Sequence, residues 1–112
     1  LVAQIQNGVN ETLALARKEG ISVDDFSLAI SYGGGQNFYL DGQAQNIKNE
    51  NWSTAFSLEN MHKDLGICER LSKEAAFPMP GMENAKRVYD EGMKKGLGKE
   101  DFRATYKVVA GE

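Results

Sequence analysis

The chain has 112 residues, 41% of them hydrophobic and 26% charged, which is the size and make-up of one globular domain with one core and excludes a disordered or low-complexity segment. Its formal net charge of -3, with Lys and Arg scattered along the chain, lacks the basic footprint that phosphate-backbone binding requires, so nucleic acid is not an expected partner. No apolar run approaches the roughly 18 to 20 residues needed to span a bilayer, and the single Cys68 fits a buried thiol in a reducing cytoplasm, so neither a membrane nor a disulfide framework is expected.

LVAQIQNGVNETLALARKEG reads as helix from its first residue, with Val2, Ile5, Val9, Leu13 and Ala16 on one face and Gly20 as the C-cap. It starts without an initiator Met or a capping side chain, which reads as a cut inside a longer helix. Ser22, followed by Asp24 and Asp25, has the form of an N-cap with acidic residues in the first turn. A short helix over ISVDDFSLAISY is therefore expected, with Ile21, Phe26, Leu28, Ile30 and Tyr32 as candidate core. Gly33, Gly34 and Gly35 suit a sharp turn. They are not followed by Gly-Lys-Ser/Thr and they follow a helix, so neither phosphate-binding glycine motif applies. Phe38, Tyr39 and Leu40 open another short helix, and QAQNIKNENWS reads as a polar connection anchored by Trp52.

The next helix is expected to be capped by Ser53 or Thr54 and to run to about Ala76, before Pro78 and Pro80. Leu58, Met61, Leu65, Cys68, Leu71, Ser72 and Ala75 recur at helical spacing and form one apolar stripe. Phe56, Asn60, Lys63 and Ile67 step by four, three and four on nearly the opposite side. Two readings fit: a second docking face centred on Lys63 with Asp64 at its edge, or a surface lysine with two incidental hydrophobes. His62 alone offers no metal site, since zinc needs about three or four convergent ligands. Pro80 opens a helix over GMENAKRVYDEGMKKG, with Met82, Ala85, Val88, Tyr89 and Met93 as its apolar repeat and Gly96 at its end. GKEDFRATYKVV supplies a last helix. The fold class is all-α, a single domain over residues 1–112 with about five to six helices. Paired acids such as Asp24-Asp25 and Glu100-Asp101 sit in first turns, where the helix dipole accounts for them, and no nucleophile-base constellation is present.

Three stretches, in order, resemble a known family. Phe56, Leu58, Lys63, Asp64, Leu65 and Cys68 follow the pattern F-x-L-x-x-x-x-K-D-L-x-x-A/C; NETLALARKEGIS is similar to E-A-L-x-L-A-x-K-x-G-x-D; FPMPGMENAKRVY is similar to P-x-P-x8-Y, before a glycine- and aspartate-bearing tail. These are signatures of the C-terminal domain of β-hydroxyacid dehydrogenases, the family of 3-hydroxyisobutyrate dehydrogenase and tartronate semialdehyde reductase, whose architecture is that of the two-domain 6-phosphogluconate dehydrogenases. The resemblance implies an N-terminal Rossmann domain that binds NAD or NADP, and a catalytic lysine near the start of an interdomain helix. Both would lie outside these residues, so no catalytic residue is expected within the chain and the chain alone should be inactive.

By the same resemblance, Lys63, Asp64 and Phe56 are cofactor-binding cleft residues. Asn37 takes the substrate-binding polar role that a serine has in many members, because Gly-Gly-Gly-Gln-Asn departs from the family pattern at that point. The implied reaction moves hydride between a nicotinamide and a small 3-hydroxyacid or semialdehyde, in a cytoplasmic homo-oligomer. The alternatives are a non-catalytic helical interaction module and a related imine reductase or 6-phosphogluconate dehydrogenase-type oxidoreductase.

Overall fold

The computed structural model describes all residues 1–112. It contains six α-helices and no strand: α1 Val2–Lys18, α2 Val23–Ser31, α3 Phe38–Lys48, α4 Leu58–Glu74, α5 Pro80–Lys94 and α6 Thr105–Ala110, the last entered through a 3-10 turn at Phe102–Ala104. The all-α reading is therefore correct.

Helix α1 is the spine. Its C-terminal half, through Val9, Leu13 and Ala14, packs with Val23 and Phe26 of α2, Tyr39, Leu40, Ala44 and Ile47 of α3, and Tyr106 of α6. Its first turn enters a second core through Ala3, against Leu58 and Leu65 of α4, Met82, Ala85 and Tyr89 of α5, and Ala104. Trp52 and Phe102 touch both cores, so the expected Trp52 anchor is present and joins the two halves. Each large aliphatic side chain buried here contributes about 1.5–3 kcal/mol relative to exposure.

The face expected of α1 is right at Val9 and Leu13, but its most buried polar residues are Gln6 and Asn10, at 1% and 0% exposure. Tyr39 Oη donates to Asn10 Oδ1 at 2.9 Å, and Asn10 Nδ2 donates to Thr105 Oγ1 at 3.2 Å. Gln6 Nε2 donates to the Phe102 carbonyl at 3.1 Å, and its Oε1 accepts from Tyr89 Oη. Polar side chains enter this core because each finds a partner, which removes the desolvation penalty.

Local signals marked the end of α1 and the start of α2: Gly20 takes a left-handed φ of 85° just after α1, and Ser22 Oγ accepts from Asp25 N at 3.0 Å as the N-cap of α2. The core assignment of α2 needs correction. Phe26 is buried, but Ile21, Leu28 and Tyr32 are 46%, 56% and 84% exposed, because α2 packs on α1 and α3 from one side only. Helix α3 also runs much further than expected, through Lys48: the stripe that begins at Leu40 continues through Ala44 and Ile47, inside the segment expected to be a connection.

Helix α4 is capped by Ser57, whose Oγ accepts from Asn60 N, and not by Ser53 or Thr54. Residues 51–58 instead run alongside residues 98–103: Asp101 N donates to Trp52 O, Phe102 N to Phe56 O, and Leu58 N to Glu100 O. Only an isolated antiparallel bridge, Ser57 to Asp101, results. Of the expected stripe, Leu58, Leu65 and Ser72 are buried, while Leu71 is 54% exposed. The helix ends before the prolines do any work. Ala76 turns left-handed at φ 51°, Phe77 N donates to Ser72 O, and Ser72 Oγ donates to Phe77 O. Helix α5 starts at Pro80, and Gly96 follows it at φ 79°, as expected. The last predicted helix is divided, because Asp101 caps the 3-10 turn and leaves only Thr105–Ala110 as α-helix.

Candidate functional site

The first turns of α1 are surrounded by three depressions. A groove of about 130 Å³ lies between α1, α4 and the start of α5, lined by Val2, Gln4, Met61, Asp64, Cys68 and Met82 among others. A cleft of about 490 Å³ lies between α1, α2 and the glycine turn, lined in part by Gln4, Ile5, Gly8, Phe26, Ile30 and Asn37. A third, of about 260 Å³, is formed by Val2, Ile5, Phe38, Tyr39, Gly42, Gln43 and Phe102. Gln4 borders the first two, Val2 the first and third, and Ile5 the second and third, so the opening of α1 is common to all of them.

Of the four residues singled out in the sequence, Asp64 and Asn37 line two different depressions, while Lys63 and Phe56 line none of the three. Asp64 lines the α4 groove and is exposed. Lys63, beside it, is exposed and forms no ion pair, although every other lysine-bearing surface of α4 and α5 offers carboxylates nearby. Its ammonium is therefore free to meet an anion.

Phe56 is not part of the α4 face at all. It stands two residues before the helix, 38% exposed, with its ring edge-on to Phe102 at 6.1 Å between centroids. Phe102 in turn meets Tyr39 edge-on at 5.9 Å and lines the third depression. The stripe expected through Phe56, Asn60, Lys63 and Ile67 thus survives only as the exposed helical residues Asn60, Lys63 and Ile67.

Asn37 is the N-cap of α3. Its Oδ1 accepts from Leu40 N and its Nδ2 donates to Gly35 O, both at 2.8 Å. One lone pair and one N–H remain for a ligand in the adjoining cleft. Gln4 was missed by the sequence reading. It is exposed between two depressions, and its side chain lies over Gly81 in the space a Cβ would fill. A polar residue inside an otherwise apolar run at the start of α1 was the available signal.

The remaining chemistry-bearing groups are elsewhere or already satisfied. His62 Nε2 meets Asp90 Oδ1 at 2.7 Å, and Lys86 Nζ reaches the same oxygen at 3.1 Å, forming a bridge between α4 and α5. Partial burial pulls the Asp90 carboxyl upward, but the hydrogen bonds from His62 and Lys86 outweigh it and hold the group below the usual carboxylate value. Cys68 is half-buried on the groove wall, more accessible than the buried thiol expected. No three His, Cys, Asp or Glu side chains converge as a metal set.

The family described as "NAD-binding of NADP-dependent 3-hydroxyisobutyrate dehydrogenase" matches residues 1–109, nearly the whole chain. The chain belongs to this family. Among curated relatives, it is 28% identical over 99 residues to a 2-(hydroxymethyl)glutarate dehydrogenase of Eubacterium barkeri, covering 88% of this chain and 33% of that protein. It is 26% identical to an L-threonate dehydrogenase of Haemophilus influenzae, covering 99% of this chain and 38% of that protein. The chain thus spans about a third of the length of the curated relatives it matches.

A 3-hydroxyisobutyrate dehydrogenase from Salmonella typhimurium superposes with a TM-score of 0.88 at 24% identity, over 96% of this chain and 38% of that one. A 3-hydroxyisobutyrate dehydrogenase of Mycobacterium tuberculosis, solved with L-serine, gives 0.83 at 21% identity, over 96% and 39%. These likenesses establish the 3-hydroxyisobutyrate dehydrogenase-type helical fold. No helix is long and apolar enough to cross a membrane.

Proposed function

We propose that residues 1–112 are the helical domain of a two-domain NAD- or NADP-dependent 3-hydroxyacid dehydrogenase, and that they form one wall of its cofactor and substrate cleft. The observation that carries this reading is the family match across residues 1–109. The relatives are named as dehydrogenases of small acids, and a hydroxyacid or semialdehyde is accordingly the substrate class proposed here.

The side chains of this proposed wall suit a dinucleotide and a small acid. Lys63 offers an unneutralised ammonium on a flexible stem, which suits a pyrophosphate or carboxylate oxygen. Phe56 presents an exposed ring that covers a flat apolar face and excludes water, while its other edge rests on Phe102. Asp64 and Gln4 border the groove as acceptor and as donor-acceptor, and Asn37 retains one donor and one acceptor towards the neighbouring cleft. When bound, the nicotinamide supplies hydride exchange with the carbon bearing the substrate hydroxyl.

The chain contains neither a G-x-G-x-x-G nor a G-x-x-x-K motif. By itself it is proposed to bind weakly and to be inactive, with the proton-transferring group and dinucleotide fold supplied by the other domain. Leu1, Val2, Phe38, Ile67, Leu71 and Phe77 are exposed apolar side chains, and the isolated domain is expected to self-associate through such surface, which light scattering would read.

The deciding experiment assays the complete enzyme by nicotinamide absorbance against small 3-hydroxyacids and semialdehydes, beside Lys63→Ala. Turnover by the parent, with a loss of about tenfold or more in kcat/KM for a folded variant, supports the reading. An active parent with an indifferent variant removes Lys63 from the cleft and leaves the family assignment in place.

A further inference from the structure

We infer that Asp101 and Arg103 are a positioning pair for the cleft: buried themselves, they hold the segment that carries Phe56 and leads into α4. The inference rests on the proposed function, since it takes Phe56 as a cleft residue.

The side chains of Arg103 and Asp101 are 4% and 1% exposed, with Arg103 Nη1 at 2.9 Å from Asp101 Oδ1. Asp101 Oδ2 accepts from the backbone N–H of Ala55 at 2.9 Å and of Phe56 at 3.2 Å, while Oδ1 also accepts from Arg103 N. Arg103 Nε donates to Asn51 O and Nη2 to Ser53 O, both at 2.8 Å, and Nη1 donates to Gln43 Oε1 of α3 at 3.2 Å. Between α3 and α4 the chain has no regular structure to satisfy these backbone groups, and the pair takes over that function.

A buried ion pair is poor evidence of stabilisation in itself, because desolvation offsets its attraction. What it supplies, and an apolar pair of equal volume does not, is direction: a rigid planar fork and a carboxylate each aimed at particular backbone atoms. The consequence is local. Phe56 lies directly on the Asp101 carboxylate through its N–H, its carbonyl accepts from Phe102 N, and its ring meets the Phe102 ring. Ser57, the next residue, caps the helix bearing Lys63 and Asp64. Loosening the pair therefore displaces the Phe56 ring.

The test compares the complete dehydrogenase with Phe56→Ala, Arg103→Lys and the double variant, reading KM, kcat and amide exchange at residues 55 and 56. Lysine keeps the charge but cannot serve Asp101, Asn51 and Ser53 together. Both single variants are expected to raise KM by about tenfold, and the double variant to be no worse than Phe56→Ala, because the two effects meet at one ring. Leu13→Ala, a core truncation away from this segment, serves as the control for lost stability and leaves KM unchanged. Additive effects in the double variant, or an unchanged KM in Arg103→Lys beside a raised one in Phe56→Ala, overturn the inference and leave the proposed function standing. An unchanged KM in Phe56→Ala removes that ring from the cleft and overturns the inference with it. Should Arg103→Lys fail to fold, Asp101→Asn, which keeps an acceptor for Ala55 and Phe56, is read against the same outcomes.

Discussion

Gly92 of α5 lies directly against the Leu58 side chain of α4: a Cβ at that position would stand 3.0 Å from Leu58 Cδ1 and 3.4 Å from Cδ2. Leu58 is fully buried at the centre of the second core, and its own position is fixed by the N-cap at Ser57, so it has little freedom to retreat. Gly92→Ala gains about 1 kcal/mol of helix propensity, while overpacking at such a contact costs about 1–3 kcal/mol. Net destabilisation by about 1 kcal/mol is the expected result, measured as a lower urea midpoint with an unchanged slope. A stabilised variant would mean that Leu58 adjusts freely.

The polar core of α1 is expected to be strict about its hydroxyls. Tyr39→Phe leaves Asn10 Oδ1 without its donor at a site with no solvent access, and should cost about 1–3 kcal/mol despite preserving shape. Burial also pushes the Tyr39 and Tyr89 hydroxyls well above the ordinary tyrosine value. Groups whose value is raised on folding contribute stability that is fully present below the unfolded value and is lost as pH rises. Unfolding midpoints should therefore fall across about pH 10 to 12, less steeply in Tyr39→Phe than in the parent chain. Parallel curves would show that Tyr39 ionises without opening the core.

At the acid end, the bridge between α4 and α5 sets the dependence. Burial raises the Asp90 carboxyl, but His62 and Lys86 together outweigh it and hold the group below the usual carboxylate value, so its contribution is present above the unfolded value and is lost as pH falls through the folded one. Asp90→Asn should lower the melting temperature near neutrality, with the difference closing by about pH 3. Side-chain exposure of 30% for His62 and 38% for Asp90 makes the effect small and salt-sensitive. A difference that persists at low pH would assign it to packing instead of charge.

Much of the architecture is written locally. Helical periodicity, Ser22 before two aspartates, Gly20, Pro80 and Gly96 gave the helices of this chain and several of their ends, because caps and periodicity act within a few residues. Leu40, Ala44 and Ile47 carried the full length of α3 as well, although the polar residues between them obscured it. The motif around Lys63 and Asp64 likewise marked the family before any fold was available.

Only tertiary structure decided where Phe56 stands. Its N–H is held by Asp101, 45 residues further along, and it stands in a bend before the helix, where residues 98–103 bind the chain on one side. Helical spacing had placed it on the face of α4, since periodicity assumes a helix and contains nothing about a partner so distant in the chain. The same holds for Gln6 and Asn10, whose polarity argued for solvent until Tyr89, Tyr39 and Thr105 arrived from three other parts of the chain to satisfy them. Local sequence fixes backbone preference, whereas burial of a polar group or the path of an irregular segment depends on hydrogen-bond partners that only folding brings within reach.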